Sequence, residues 1–131
     1  MRREGKTRQA GFTLIELLVA LAVLSIGMLG TASLTVSVIQ GNFFSKNVTS
    51  ATAIAQTQLE AVQNKGYTGT TTANFPAGAQ TVTMDGMSFS RTTTITDNSP
   101  ATNMKTVTVN VSWVEGNNVS RSITLQTILS Q

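Results

Sequence analysis

The chain has no cysteine and no histidine among its 131 residues. The first absence excludes a disulfide framework, thiolate metal sites and thiol catalysis. The second removes the commonest general base and the commonest metal ligand. Charge is scarce as well, and it is unevenly placed. Arg2, Arg3, Lys6 and Arg8 precede Phe12 together with one acid, Glu4, so this leader carries the whole formal net charge of +3. Beyond it, Lys46, Lys65, Arg91, Lys105 and Arg121 balance Glu16, Glu60, Asp85, Asp97 and Glu115. Without the leader the protein is near neutral, and a general affinity for nucleic acid loses its main support.

Nothing else in the chain supplies the missing catalytic chemistry. Serine and threonine are plentiful, but no histidine can activate them, and the lysines show no Ser-x-x-Lys spacing. There is no phosphate loop. The acids beyond Glu16 sit singly, so neither a paired-carboxylate site nor a calcium loop is indicated. The expectation is a protein that is not an enzyme and carries no metal and no cofactor. Asn47-Val48-Thr49, Asn110-Val111-Ser112 and Asn118-Val119-Ser120 match the glycosylation acceptor pattern. In a chain this rich in hydroxyls, such matches arise by chance.

What the chain does have is a long apolar run. Every residue from Leu17 to Leu24 is apolar, and none from Leu17 to Ile39 is charged. About 20 such residues span a bilayer as a helix. The basic leader predicts a cytoplasmic N-terminus with the remainder translocated. Three readings compete: a secretory signal peptide with Gly30-Thr31-Ala32 as its cleavage site, a plain anchor, and a leader removed ahead of the apolar segment. Glu16 separates them. A charge at a helix centre in lipid costs roughly 2.5–3.5 kcal/mol on insertion scales, and less near an end. Only the third reading uses that charge. Cleavage after Gly11 frees an amine on Phe12, four residues before Glu16, and the amine and carboxylate can pair within or between chains.

Gly11-Phe12-Thr13-Leu14-Ile15-Glu16, followed by Leu17-Leu18-Val19-Ala20-Leu21, resembles the class III leader of type IV prepilins and type II secretion pseudopilins. The resemblance covers roughly the first 30 residues, the leader and much of the apolar span that follows it. Ser25-Ile26-Gly27-Met28-Leu29-Gly30 is similar to the same stretch of V-type (PilV-like) minor pilins. The resemblance implies a role for each residue. Gly11 would precede the bond cut by prepilin peptidase. Phe12 would become the N-terminal residue, with a methylated amine. Glu16 would guide methylation and register the subunit in a filament by pairing with a neighbour's Phe12 amine. The chain departs from many major pilins in having no proline in the apolar helix and no disulfide loop, which argues against a major subunit. Gly27 and Gly30 could supply local helix flexibility instead, since glycine inside a helix costs roughly 1 kcal/mol relative to alanine.

The implied partners are prepilin peptidase/methyltransferase, other major and minor pilins, and an inner-membrane assembly platform. The implied location is the bacterial inner membrane, single-pass with the head periplasmic, and then an extracellular pilus. A type II secretion pseudopilin is the near alternative. A tip adhesin or DNA-capture module, using the loop at 66–81 or the sheet edge, is a third.

The expected architecture is α+β, a pilin fold with one long helix and a four-stranded antiparallel sheet. Residues 1–11 form the cleaved leader, 12–39 the apolar membrane and filament-core helix, 40–65 an amphipathic helix, and 66–131 a loop plus β head. Phe44, Val48, Ala51, Ile54, Ala55, Leu59 and Val62 recur at helical spacing and form one stripe. Gly66 serves as the stop. From Phe12 to Lys65 this predicts a helix of roughly 80 Å. Residues 66–81 read as a surface loop, with Pro76 and Gly78. Asp85-Gly86 signals a tight hairpin. Val107, Val109, Val111 and Trp113 alternate with Thr106, Thr108, Asn110 and Ser112 in the clearest strand. Glu115-Gly116-Asn117-Asn118 makes a further turn. Val119, Ile123 and Leu125 mark the last strand, with Ile128 and Leu129 near its end. Trp113 reads as core, and the threonine-rich face as β-propensity on a solvated surface.

Overall fold

A computed structural model describes residues 11–116 and 118–131. The basic leader and Asn117 of the last turn lie outside the described residues. The elements run as one helix, α1 (Leu14–Gly69), and four strands, β1 (Gln80–Met84), β2 (Met87–Asp97), β3 (Met104–Val114) and β4 (Ser120–Ser130). This is the α+β pilin-like layout, one long N-terminal helix and a four-stranded antiparallel sheet. Two compact units divide the chain, Met1–Asn42 and Phe43–Gln131.

In the first unit, every described residue is exposed. The helix there holds a run of large apolar side chains, among them Leu17, Leu21, Leu24 and Ile39. Helix α1 is long and apolar enough to cross a bilayer. The hydroxyls within the run do not break its apolar character. Ser25 donates to Leu21 O at 2.7 Å, Thr31 to Met28 O at 2.9 Å, and Thr35 to Thr31 O at 3.0 Å. Each finds its acceptor in the preceding turn, so no hydroxyl among these three needs water.

In the second unit, α1 buries Ser50, Ala51, Ile54, Ala55, Gln58 and Val62 against the inner face of the sheet. The predicted stripe is therefore shifted. Val48 and Leu59 pack only partly, and Phe44 is 43% exposed, with the Arg121 guanidinium 5.5 Å above its ring. Ser50 and Gln58 take buried places because each has a partner in the sheet. Ser50 donates to Asp85 Oδ2 at 3.0 Å, and Gln58 Nε2 donates to Thr93 Oγ1 at 3.1 Å. A buried amide is tolerated once it is hydrogen-bonded.

The sheet is a meander in the order β1-β2-β3-β4, antiparallel throughout. Asp85 (φ 53°) and Gly86 (φ 80°) both take positive φ in the two-residue turn between β1 and β2. That is the backbone a tight hairpin requires. Phe89, Val107, Val109, Val111 and Trp113 point inward and are buried. Two clusters result, one joining Ala51, Ile54 and Ala55 to Phe89, Val109, Val111 and Trp113, the other joining Val62 to Phe75 and Val107. Val119 falls just outside β4, and Ile128 lies on the outer face at 55% exposed.

The helix breaks at Gly66 (φ 66°, ψ −175°) and resumes for three residues to Gly69. Thr70 closes this end. Its hydroxyl donates to Gly66 O at 2.8 Å and lies 3.3 Å from Val62 O, satisfying carbonyls left over by the helix. The segment after it is not a plain surface loop, because Thr70 and Phe75 are both buried. Lys105 holds it to the sheet, donating to Thr70 O at 2.9 Å, lying 4.7 Å from the Tyr67 ring centroid, and pairing with Asp97 at 3.4 Å. Gly66→Ala is expected to destabilise the head by about 1–3 kcal/mol, since that region of backbone space is essentially glycine-only. No atom lies within 4 Å of a Cβ built there, so the loss would come from backbone strain. Thermal melting by circular dichroism reads the effect, and an unchanged midpoint would contradict it.

Candidate functional site

The site is built from the first turn of α1 and the residues leading into it. Gly11, Phe12 and Thr13 precede the helix, and all three are exposed. Thr13 starts it. Its Oγ1 accepts the Glu16 amide N–H at 3.3 Å, and its carbonyl accepts the Leu17 N–H at 3.2 Å. Thr13 is thus the N-cap and Glu16 the third helical residue, the Thr-x-x-Glu arrangement of a capping box. The leader resemblance assigns no role to Thr13. Its signal, a threonine three residues before a glutamate at the head of an apolar run, was nevertheless present.

Glu16 is the acidic residue of the first turn. A carboxylate there complements the positive end of the helix dipole, which offsets part of its cost in apolar surroundings. Among the described residues it makes no ion pair. Between Phe12 and Ser45 it is the one ionisable side chain. Phe12 is 84% exposed and belongs to neither core cluster. A Cβ added at Gly11 would meet nothing within 4 Å. Packing among the described residues does not demand a glycine there. Gly27 and Gly30 also have open space around them, and α1 runs helically through both.

Gly11 and Phe12 are accessible, and a capped apolar helix with one carboxylate follows them immediately. A family model described as the prokaryotic N-terminal methylation motif matches residues 6–32. The chain carries a prepilin-type methylation motif. It marks a type IV pilin-like or pseudopilin protein and implies processing by prepilin peptidase and assembly into a pilus or pseudopilus. The motif and the apolar helix together are consistent with membrane anchoring. No characterised protein and no solved structure matches the chain.

Away from the motif, the described residues hold no group of three or more histidines, cysteines or acids placed to bind a metal. Arg91 donates to Gln80 Oε1, while its Nε is buried with no partner among the described residues. Desolvation by partial burial lowers its pKa. An arginine so shifted remains charged at neutral pH.

Proposed function

We propose that the protein is a structural minor pilin of a type IV pilus. The peptidase cuts after Gly11 and methylates the new amine of Phe12. Residues 12–39 then hold the subunit in the inner membrane, with its N-terminus cytoplasmic and its head periplasmic. Assembly transfers the subunit into the filament, where the apolar helix faces pack against those of major and minor pilins. Glu16 registers the subunit by pairing with the Phe12 amine of a neighbour. The observation that carries this reading is the placement of one carboxylate at the capped start of a helix whose first part, to residue 42, is otherwise uncharged and exposed, within the matched motif. The V-type subclass rests on Ser25-Ile26-Gly27-Met28-Leu29-Gly30 alone. A role in scaffolding rather than catalysis fits the lack of histidine and cysteine.

The test is N-terminal sequencing with intact mass measurement of the protein from membranes. The expected mature chain begins at Phe12 and carries one added methyl group. A chain beginning near Ser33 would mean an ordinary secretory signal and would overturn the reading. A minor pseudopilin of a type II secretion system is the second reading, favoured by the same motif. Genes of a secretion apparatus beside this one, in place of pilus genes, would select it. A DNA-capture role has less support, because counterion release needs clustered Lys and Arg and the chain beyond the leader is neutral.

A further inference from the structure

The meander is open, so the sheet ends in two edges, β1 on one side and β4 on the other. Among the described residues, no backbone hydrogen bond from a loop or from the helix reaches either edge strand. Native sheets blunt a free edge with charge, proline or a bulge. From Ser122 to Ser130, β4 has no charge and no proline, and its ladder with β3 runs residue for residue without a bulge. β1 is shorter, Gln80–Met84, and equally uncharged.

The core is incomplete at both edges. On the helix-facing side, Val82 and Met84 of β1 and Ile123 and Leu125 of β4 pack only partly against the same buried cluster. On the other side, Thr81, Thr83, Thr124 and Gln126 are exposed. Each edge therefore offers free backbone groups, half-covered apolar side chains on one face and small polar ones on the other.

Strand direction decides what can complete these edges. Each strand is antiparallel to the one before it, so β1 and β4 run in opposite directions. The β1 edge of a second copy thus meets β4 antiparallel, with the helix-facing sides of both copies on the same side of the joined sheet. A slip of one residue would turn apolar side chains to the wrong face. Of the remaining registers, one matches throughout. With Val82 opposite Leu125, Met84 meets Ile123, Gln80 meets Thr127, Thr81 meets Gln126 and Thr83 meets Thr124. Apolar faces apolar and polar faces polar along the whole of β1. A slip of two residues sets Met84 against Arg121 and Gln80 against Leu125, or in the other direction Val82 against Thr127 and Gln80 against Leu129. In the matched register Arg121 also comes level with the Asp85-Gly86 turn of the other copy, a cation beside an acid.

We propose that the β4 edge is an interaction surface for β1 of a second copy of this chain, extending the sheet from head to head. A ladder as short as β1 falls below the roughly 1,000 Å² of a stable interface. The joint is therefore weak in free solution and forms where copies are already tethered side by side. It does not involve Gly11, Phe12 or Glu16, so it holds or fails independently of the filament reading.

The chain has no cysteine, so disulfide trapping reads the joint cleanly. Full-length Thr83→Cys and Thr124→Cys chains, one with a size tag, are mixed in a zwitterionic detergent at several chains per micelle and oxidised briefly. The expected result is a mixed dimer that forms at least about tenfold faster than one from Thr83→Cys and Ile128→Cys, because disulfide geometry is strict. Those control positions lie about 14 Å out of step along the strand. A second pair, Thr81→Cys with Gln126→Cys, should trap equally well. Adding Thr83→Lys to the first of these chains and Thr124→Lys to the second sets like charges opposite each other and should slow trapping about threefold. Thr83→Glu in place of Thr83→Lys should restore it. These positions are exposed, and the melting curves of the variants should match the parent. Equal trapping in and out of register would overturn the proposal, and so would lysines that leave the rate unchanged. Thr124→Cys chains that join one another as fast as they join Thr83→Cys chains would make the joint β4 to β4 and overturn it as well.

Discussion

Glu16→Ala is expected to leave cleavage after Gly11 largely intact and to remove most of the protein from assembled filaments. Alanine keeps the N-cap hydrogen bond at the start of the helix and gives up only the carboxylate's interaction with the helix dipole, worth about 0.3–1 kcal/mol. The cap is made by the amide N–H of residue 16 to Thr13 Oγ1, and that amide survives the substitution. Alanine is also the best helix former. The variant therefore removes the carboxylate and little else. If that carboxylate pairs with a neighbour's amine among apolar helices, its loss leaves a buried cation uncompensated. Removing one partner of a buried pair costs about 3–5 kcal/mol. At 1.4 kcal/mol per tenfold, incorporation should fall by about a hundredfold or more. Immunoblots of sheared filaments against the membrane fraction measure the ratio. Glu16→Gln keeps the shape without the charge and should behave alike. Unchanged incorporation of either variant would refute the registering role. Accumulation of uncleaved precursor would move the role of Glu16 to the peptidase step.

Phe89→Ala is expected to produce the largest loss of stability in the head. Phe89 is 1% exposed and lies in the cluster with Ala51, Ile54, Val109, Val111 and Trp113. It stands at the fork of the sheet, where the ladder between β2 and β3 has already ended. Side-chain packing across to Trp113, not backbone pairing, holds the strands together there. Truncating a buried phenylalanine costs about 3–5 kcal/mol. For a domain of this size each kcal/mol shifts the midpoint by about 4–8 °C. The head should therefore melt at least about 12 °C lower, by circular dichroism of the full chain in micelles. Val114→Ala, at an exposed position on the outer face, is the control and should change the midpoint little. A small shift for Phe89→Ala would mean that the fork is held by something other than its aromatic pair.

Much of this architecture is written in local pattern. Strict alternation at Val107, Val109, Val111 and Trp113 puts four apolar residues on one face of a strand whatever lies beyond it. Asp85-Gly86 demands a turn with positive φ, and both residues have it. Gly66 marks the helix break because its conformation suits no other residue as well. Likewise Thr13-Leu14-Ile15-Glu16 carries its own capping instructions, and the motif it belongs to is legible within 27 residues. These features are local, so a few neighbouring residues decide each one.

Only the tertiary structure decided which polar residues would be buried. Ser50 and Gln58 are polar residues at helical spacing with the buried stripe, and each is accommodated there by a partner 35 positions away, Asp85 and Thr93. Thr70 and Phe75 read as loop, but the former closes the helix end and the latter joins Val62 and Val107. Lys105 reads as a scattered surface cation, and it ties Tyr67, Thr70 and Asp97 together. The fork follows from where the β2–β3 ladder ends, and no periodicity in either strand announces that point. The physical reason is the same in each case. A repeat of two or of 3.6 residues sets which way a side chain points, whereas its partner is set by register between segments far apart in the chain. By itself the sequence therefore determined the capped apolar helix, its lone carboxylate and the order of helix and strands. Register and packing decided how the head closes and where it is left open.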